Sequence, residues 1–227
     1  MSDLEQTREY FDQVASQWNE MRKRFFGEGV RRAAIQAAQI SSVSLVADIG
    51  TGTGFLAEAA LAAGARVIGI DSSEGMLAQV RERFAGKNFE ARVGEIDALP
   101  LHDGEVDAVM ANMVLHHAPD PPHAILEMAR VLKPGGRLII TDADTHTYEW
   151  LRTEQHDRWL GFDRKEIARW FETAGLEEVT AENTGENCCP TANCGERAEI
   201  SIFLAQGRKP ARPSANHAGK QLRKIRE

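Results

Sequence analysis

The sequence predicts a single α/β domain built on a doubly wound sheet of seven strands. The sheet should be mostly parallel, with an antiparallel last strand and helices on both faces. Three observations lead there. Short apolar runs alternate with amphipathic ones between residues 44 and 206, the order that strand–helix–strand crossovers produce. The first run, Ser44 to Ile49, ends in Gly50-Thr51-Gly52-Thr53-Gly54, as a buried parallel strand does when it feeds a tight turn. Acids stand at the ends of predicted strands, at Asp48 and Asp71, on the edge where open parallel sheets hold ligands.

Bulk properties agree with one domain. The 227 residues are 42% hydrophobic, enough for a core and against wholesale disorder. A net charge of −7 argues against a general nucleic-acid binder. No stretch reaches the roughly 18 apolar residues of a membrane span, and the polar, acidic start does not read as a signal peptide. Three cysteines, an odd number, make a disulfide framework an unlikely design and a reducing cytoplasm the expected setting. The expected assembly is a monomer or homodimer.

Taken in order, residues 1–43 should be helical. Tyr10, Phe11, Val14 and Trp18 put one apolar face on a helix from Leu4 to Met21; it either packs on the sheet or forms a lid. A second helix is expected from Gly29 to Ile40. After the glycine turn, Phe55 to Ala63 is helical and stops at Gly64. Arg66 to Ile70 is the second strand, Glu74 to Phe84 a helix, Phe89 to Val93 the third strand and Val106 to Ala111 the fourth. Pro119, Pro121 and Pro122 end a loop before a helix from His123 to Leu132. Lys133-Pro134-Gly135-Gly136 reads as a turn, and Arg137 to Thr141 as the fifth strand. Asp163 should cap a helix running to Ala174, followed by strands at Leu176 to Ala181 and Ala198 to Ala205.

The glycine turn narrows the ligand. It lacks the Gly-Lys-Ser/Thr ending of a phosphate loop, and Phe55 occupies the place of the last glycine in the dinucleotide fingerprint. Asp48 would repel a pyrophosphate but suits a cation. Asp48-x-Gly50-x-Gly52-x-Gly54 resembles the first motif of class I S-adenosylmethionine (SAM)-dependent methyltransferases, whose Rossmann-like domain binds a cofactor that is cationic at its sulfonium and amino groups. Further segments in order, covering about residues 44–142, are similar to the same family.

The resemblance implies roles. Gly50, Gly52 and Gly54 would admit the methionine part of the cofactor, and Asp48 would favour its amino group or sulfonium. Asp71, about twenty residues beyond the loop, stands where an acid accepts ribose hydroxyls, with Ser72 beside it; capping the helix that begins near Ser72 and Ser73 is the plainer alternative. Glu95 would meet the adenine amine and Ile96 pack on its ring. Asn112 would border the cofactor through its backbone, and Met113 or Leu115 through a side chain. His117 is a candidate general base, or a residue that holds its loop by hydrogen bonds.

The acceptor end is less determined. Residues 142–161 carry Asp144, His146, Tyr148, Trp150, His156 and Trp159, where family members usually build the acceptor pocket. Cys188, Cys189 and Cys194 share the segment between the last two predicted strands, which should emerge on the cofactor edge. Adjacent Cys188-Cys189 lacks the spacer of a structural zinc site, even with His146 as a fourth ligand. A thiophilic centre such as trivalent arsenic, held as a tris-thiolate, fits better. The C-terminal part looks like methyltransferase domains found with ArsR-type metalloregulators, although arsenite methyltransferases spread their cysteines over several segments. The expected substrate is therefore a small molecule or metalloid. The rivals are an organic acceptor such as a quinone precursor, with incidental cysteines, and a non-catalytic SAM- or metal-binding module. Residues 207–227 hold seven lysines and arginines against one acid and read as a flexible basic tail.

Overall fold

The computed structural model describes residues 3–211. Its seven strands are β1 (Leu45–Ile49), β2 (Arg66–Asp71), β3 (Phe89–Val93), β4 (Val106–Asn112), β5 (Leu132–Ala143), β6 (Glu177–Cys188) and β7 (Ile200–Arg208). They lie in one sheet in the order β3-β2-β1-β4-β5-β7-β6. β1 pairs in parallel with β2 and β4, β2 with β3, and β4 with β5, while β7 runs antiparallel to both β5 and β6. The expected sheet, including the sense of its last strand, is the one found.

The helices are α1 (Asp3–Val14), α2 (Trp18–Met21), α3 (Glu28–Ala38), α4 (Phe55–Ala62), α5 (Glu74–Arg83), α6 (Pro121–Val131), α7 (Trp150–Glu154) and α8 (Arg164–Thr173). Two apolar layers cover the sheet. One joins Ile49, Ile70, Val109 and Ile140 to Ile125, Met128, Ile167 and Phe171. The other joins Val46, Val67, Met110 and Ile139 to Val30, Leu56, Leu77 and Ile202. Alternate residues of the central strands supply the two layers because side chains alternate across a strand. None of the helices among the described residues is long and apolar enough to cross a membrane.

Four differences from expectation have local causes. The N-terminal helix is broken, with residues 15–17 separating α1 from α2. α6 starts two residues early because Asp120 accepts from His123 N and the prolines occupy the first helical positions, where a missing N–H costs nothing. The Lys133–Gly136 turn is a bulge inside β5: pairing with β4 passes from Val106↔Leu132 to Ala108↔Arg137, and Lys133 Nζ holds Asp107 at 2.8 Å. β6 extends to Cys188, through Glu-Asn-Thr-Gly-Glu-Asn, residues of low strand propensity. It is an edge strand, where polar and charged side chains are favoured.

The predicted tail begins too early. Gly207 and Arg208 belong to β7, and Lys209 exchanges backbone hydrogen bonds with Gly135 and Gly136. The rest of that predicted segment, from residue 212, lies outside the described residues.

Candidate active site

β1 is flanked by β2 on one side and β4 on the other, so the chain leaves it in opposite directions. At such a switch point the loops beyond the strand ends part and leave a crevice. The main cavity lies there. Gly50, Thr51 and Gly52 line it from the β1 loop, Asp71 and Ser72 from the end of β2, Glu95 and Ile96 from beyond β3, and Asn112, Met113 and Val114 from the end of β4 and the turn that follows.

Gly50 takes φ +62°, and a Cβ there would lie 2.4 Å from Val114 Cγ2. The bare backbone thus lets the β1 and β4 loops touch. Gly54 differs from its expected role, for it does not line the cavity. At φ +87° its missing Cβ makes room for Phe84 and Val80, which a Cβ would approach to 2.4 and 2.9 Å, so it seats α4 against α5.

Asp48 is also redirected. It borders the cavity, but it is buried, and its Oδ2 accepts from Thr51 Oγ1 at 2.8 Å and Ala57 N at 3.1 Å. Burial raises its carboxyl to about 7 despite those hydrogen bonds. A group tied in this way braces the turn against α4, and it carries less negative charge near neutrality than a free carboxylate would. Asp71 spans the crevice floor, accepting from Gly52 N at 2.8 Å and from Ser73 N at 3.0 Å. Burial brings it up to about 6. It does not cap α5 itself: Ser73 does, by accepting from Met76 N.

Beyond the glycines the cavity becomes aromatic and imidazole-lined. Phe11, His116, His117, His146 and Trp159 face it there, while Trp18 lies against the Gly52 turn and Phe26 against Phe55. α1 covers this end. Phe11 packs edge-on against His117 at 5.3 Å, Tyr10 lies 4.9 Å from His156, and Tyr10 donates to Gln155 Oε1. Asp12 pins the same helix down by accepting from Ser73 Oγ and Gly75 N.

Two histidines follow β4 on a 3₁₀ turn. Asp142, at the end of β5, accepts from Leu115 N and meets His116 Nδ1 at 2.7 Å. His116 Nε2 lies 3.6 Å from Asp157 Oδ1. The His116 carbonyl accepts from Arg158 N and Trp159 N, and Trp159 Nε1 donates to Ala118 O; these bonds fix the 157–159 segment beside the turn. Burial opposes charge on His116, yet Asp142 and Asp157 outweigh it and bring it up to about 9. His117 behaves oppositely. Burial, and then the neighbouring His116, hold it well below the usual imidazole range, so it is neutral at pH 7. Its Nδ1 sits 3.1 Å from the His156 carbonyl, which fixes the proton on Nδ1 and leaves Nε2 with a lone pair.

The three thiols do not converge. Cys188 is buried and borders the main cavity, Cys189 lines a separate surface groove with Lys23, Thr191 and Arg197, and Cys194 is exposed. Burial pushes the Cys188 thiol well up, away from the thiolate that binds metals. Among the described residues, the one group able to gather on a cation is His116, His117 and Asp157. The expected tris-thiolate is therefore not formed. β6 runs on to Cys188 and a tight turn at Ala192 to Gly195 carries Cys194 outward.

Of the expected acceptor residues, His146 and Trp159 reach the cavity. Asp144 instead binds Arg164 Nε at 2.7 Å and also holds Ser201, a structural tie. Asp142 and Asp157 join the site as well. Asp142 repeats a legible signal, an acid at the end of a parallel strand, but nothing in the local pattern marks Asp157.

The comparisons agree with this geometry. A family described as a methyltransferase domain matches residues 47–140. A ubiquinone biosynthesis O-methyltransferase from Methylococcus capsulatus is 29% identical over 199 residues, covering 80% of this chain and 84% of that protein. An arsenite methyltransferase from Halobacterium salinarum is 39% identical over 103 residues, covering 43% of this chain and 26% of that protein. Demethylmenaquinone methyltransferases recur among the other relatives. For several relatives the chain spans less than two thirds of their length, 58% for one demethylmenaquinone methyltransferase and 30% for an uncharacterized transposon protein. A chain in the complex of the Haloferax volcanii Trm112 methyltransferase activator with a protein assigned as a methyltransferase superposes with a TM-score of 0.73 at 25% identity, covering 88% of this chain and 97% of that one. The switch-point crevice and its side-chain-free loop thus lie within residues 47–140, the segment that matches a methyltransferase domain.

Proposed function

We propose that the protein transfers the methyl group of SAM to a small organic acceptor, a phenol or quinone precursor. The observation that carries this is the continuity of one cavity. It runs from the glycine loop, Asp71 and Glu95 to Phe11 and Trp159 beside His117. Aromatic faces suit a flat ring, and the quinone-biosynthesis relatives point to the same chemical class.

In this reading Gly50 and Gly52 face the methionine part, Asp71 and Ser72 the ribose, Glu95 and Ile96 the adenine, and Asn112 the nucleoside edge. Asp71 spends one lone pair of each oxygen on the loop and keeps the others for hydroxyls. The acceptor oxygen attacks the methyl carbon as the carbon–sulfur bond breaks, S-adenosylhomocysteine leaves, and the acceptor proton passes to His117 Nε2. α1 shields the reacting atoms from water, so positioning dominates the rate.

Calorimetry with S-adenosylhomocysteine, followed by product assays on phenols, hydroquinones and arsenite, tests the proposal. Binding with methylation of a phenolic acceptor is expected. Binding with transfer to arsenite alone would restore the metalloid reading, for which Cys188 in the cavity wall and the arsenite methyltransferase relative speak. Binding without transfer to any acceptor would point to a regulatory module.

A further inference from the structure

We infer that His116, His117 and Asp157 form a binding site for a divalent cation of the zinc class, open to the acceptor end of the cavity. One ligand atom from each lies within 4.8 Å of the others. His116 Nε2 and Asp157 Oδ1 are 3.6 Å apart. Ligands about 2.0–2.1 Å from a tetrahedral zinc ion lie roughly 3.3 Å from one another, so side-chain rotations that draw the three atoms in from within 4.8 Å close the set.

The second observation is how the two rings are held. A metal-binding imidazole usually gives its other N–H to a carboxylate or a backbone carbonyl, which fixes its orientation. Both arrangements are present here: His116 Nδ1 meets Asp142 Oδ1 at 2.7 Å, and His117 Nδ1 meets the His156 carbonyl at 3.1 Å. Each ring therefore turns its Nε2 away from its support. The two ring centres are 4.1 Å apart and tilted by 52°, so the rings are neighbours without being stacked face to face. Asp157 is carried to them by the hydrogen bonds of Arg158 N and Trp159 N to the His116 carbonyl.

Two imidazoles and one carboxylate select a transition-type cation over magnesium or calcium, which prefer oxygen ligands. Three protein ligands leave a fourth position open, as in catalytic rather than structural zinc sites, and all three residues border the cavity. An acceptor oxygen in the open position would be acidified by coordination and lose its proton to solvent; with the site empty, the His117 lone pair takes that proton, as proposed above. That last role rests on the function proposed above; the site does not.

The test is a titration of the full chain, first dialysed against a chelator, with Co²⁺ while its visible absorption is read, followed by displacement with Zn²⁺. One cobalt per chain is expected, with the d–d bands of a four- or five-coordinate nitrogen–oxygen site. Asp157→Asn and His117→Ala should each lose the spectrum. Asp142→Asn should weaken binding by about 10- to 100-fold, the usual effect of removing a supporting carboxylate. Cys194→Ser should leave the titration unchanged. Retained S-adenosylhomocysteine binding reports that each variant is folded. Absence of cobalt bands, bands that persist in both Asp157→Asn and His117→Ala, or a strong sulfur-to-cobalt charge-transfer band would each overturn the assignment. Failure of methyl transfer with the cobalt site intact would count against the proposed function alone.

Discussion

The two ends of the cavity are built differently. At the glycine end, backbone and strand termini do the work: Gly50 and Gly52, and acids that brace the loop from β1 and β2. All of it comes from residues 48–72, joined by parallel pairing in register. At the histidine end, side chains arrive from α1, the turn after β4, the end of β5 and the 155–159 segment. The first end is held by adjacent strands and the turns that leave them, whereas the second exists only when four separated segments meet. The glycine end should therefore tolerate changes in its neighbours but not in its own backbone. The histidine end should lose chemistry without losing the cofactor.

The largest effect should come from His117→Gln. If the Nε2 lone pair serves the acceptor, turnover should fall about 10²- to 10⁴-fold, while calorimetry shows S-adenosylhomocysteine affinity nearly unchanged. An equal loss of both would mean that the two ends are not separable.

Gly50→Ala should come next, with the opposite signature. The new Cβ would meet Val114 Cγ2 at 2.4 Å, at φ +62°. Strain of order 1–3 kcal/mol should weaken S-adenosylhomocysteine by about tenfold or more. Gly54→Ala meets Phe84 and Val80 instead, so it should lower the melting temperature more than the affinity. If Gly54→Ala weakened the cofactor as strongly as Gly50→Ala, the assignment of Gly54 to helix packing would be wrong.

A subtler contrast concerns pH. The Asp48 carboxyl is raised by burial from 3.8 to about 7, so its ionisation opposes folding. That penalty is full above pH 7 and is relieved as pH falls from 7 towards 4. Asp48→Asn cannot ionise. The melting temperature of the wild type should therefore rise relative to the variant between pH 8 and pH 5. A constant difference across that range would show that Asp48 titrates as an ordinary carboxylate.

The smallest effect should be that of Cys194→Ser. The thiol is exposed and outside the cavity, and methyl transfer should stay within experimental error of wild type. A large loss would bring the cysteines back into the chemistry.

The comparison also separates what local pattern reveals from what it hides. β3 runs from Phe89 to Val93 as expected, and Asp163 caps α8 by accepting from Lys165 N and Glu166 N; strand alternation and capping are settled within a few residues. β6 runs past its expected end at Ala181 because pairing with β7 overrides the poor strand propensity of Glu182 to Asn187. The placement of Asp48 and Gly54 differs from expectation for a related reason. A motif places a residue at a strand end or in a turn, but burial and neighbours decide whether its side chain faces a ligand, a backbone N–H or another helix.

What the amino-acid order determined by itself was the sheet, its turn of glycines and the acids at its strand ends, since periodicity, φ-permissive residues and capping act over short range. Only the tertiary structure decided that His116, His117, Asp142 and Asp157 meet while Cys188, Cys189 and Cys194 do not. Those outcomes depend on hydrogen bonds between segments some 26 to 39 residues apart in the chain, whose closure no local pattern encodes.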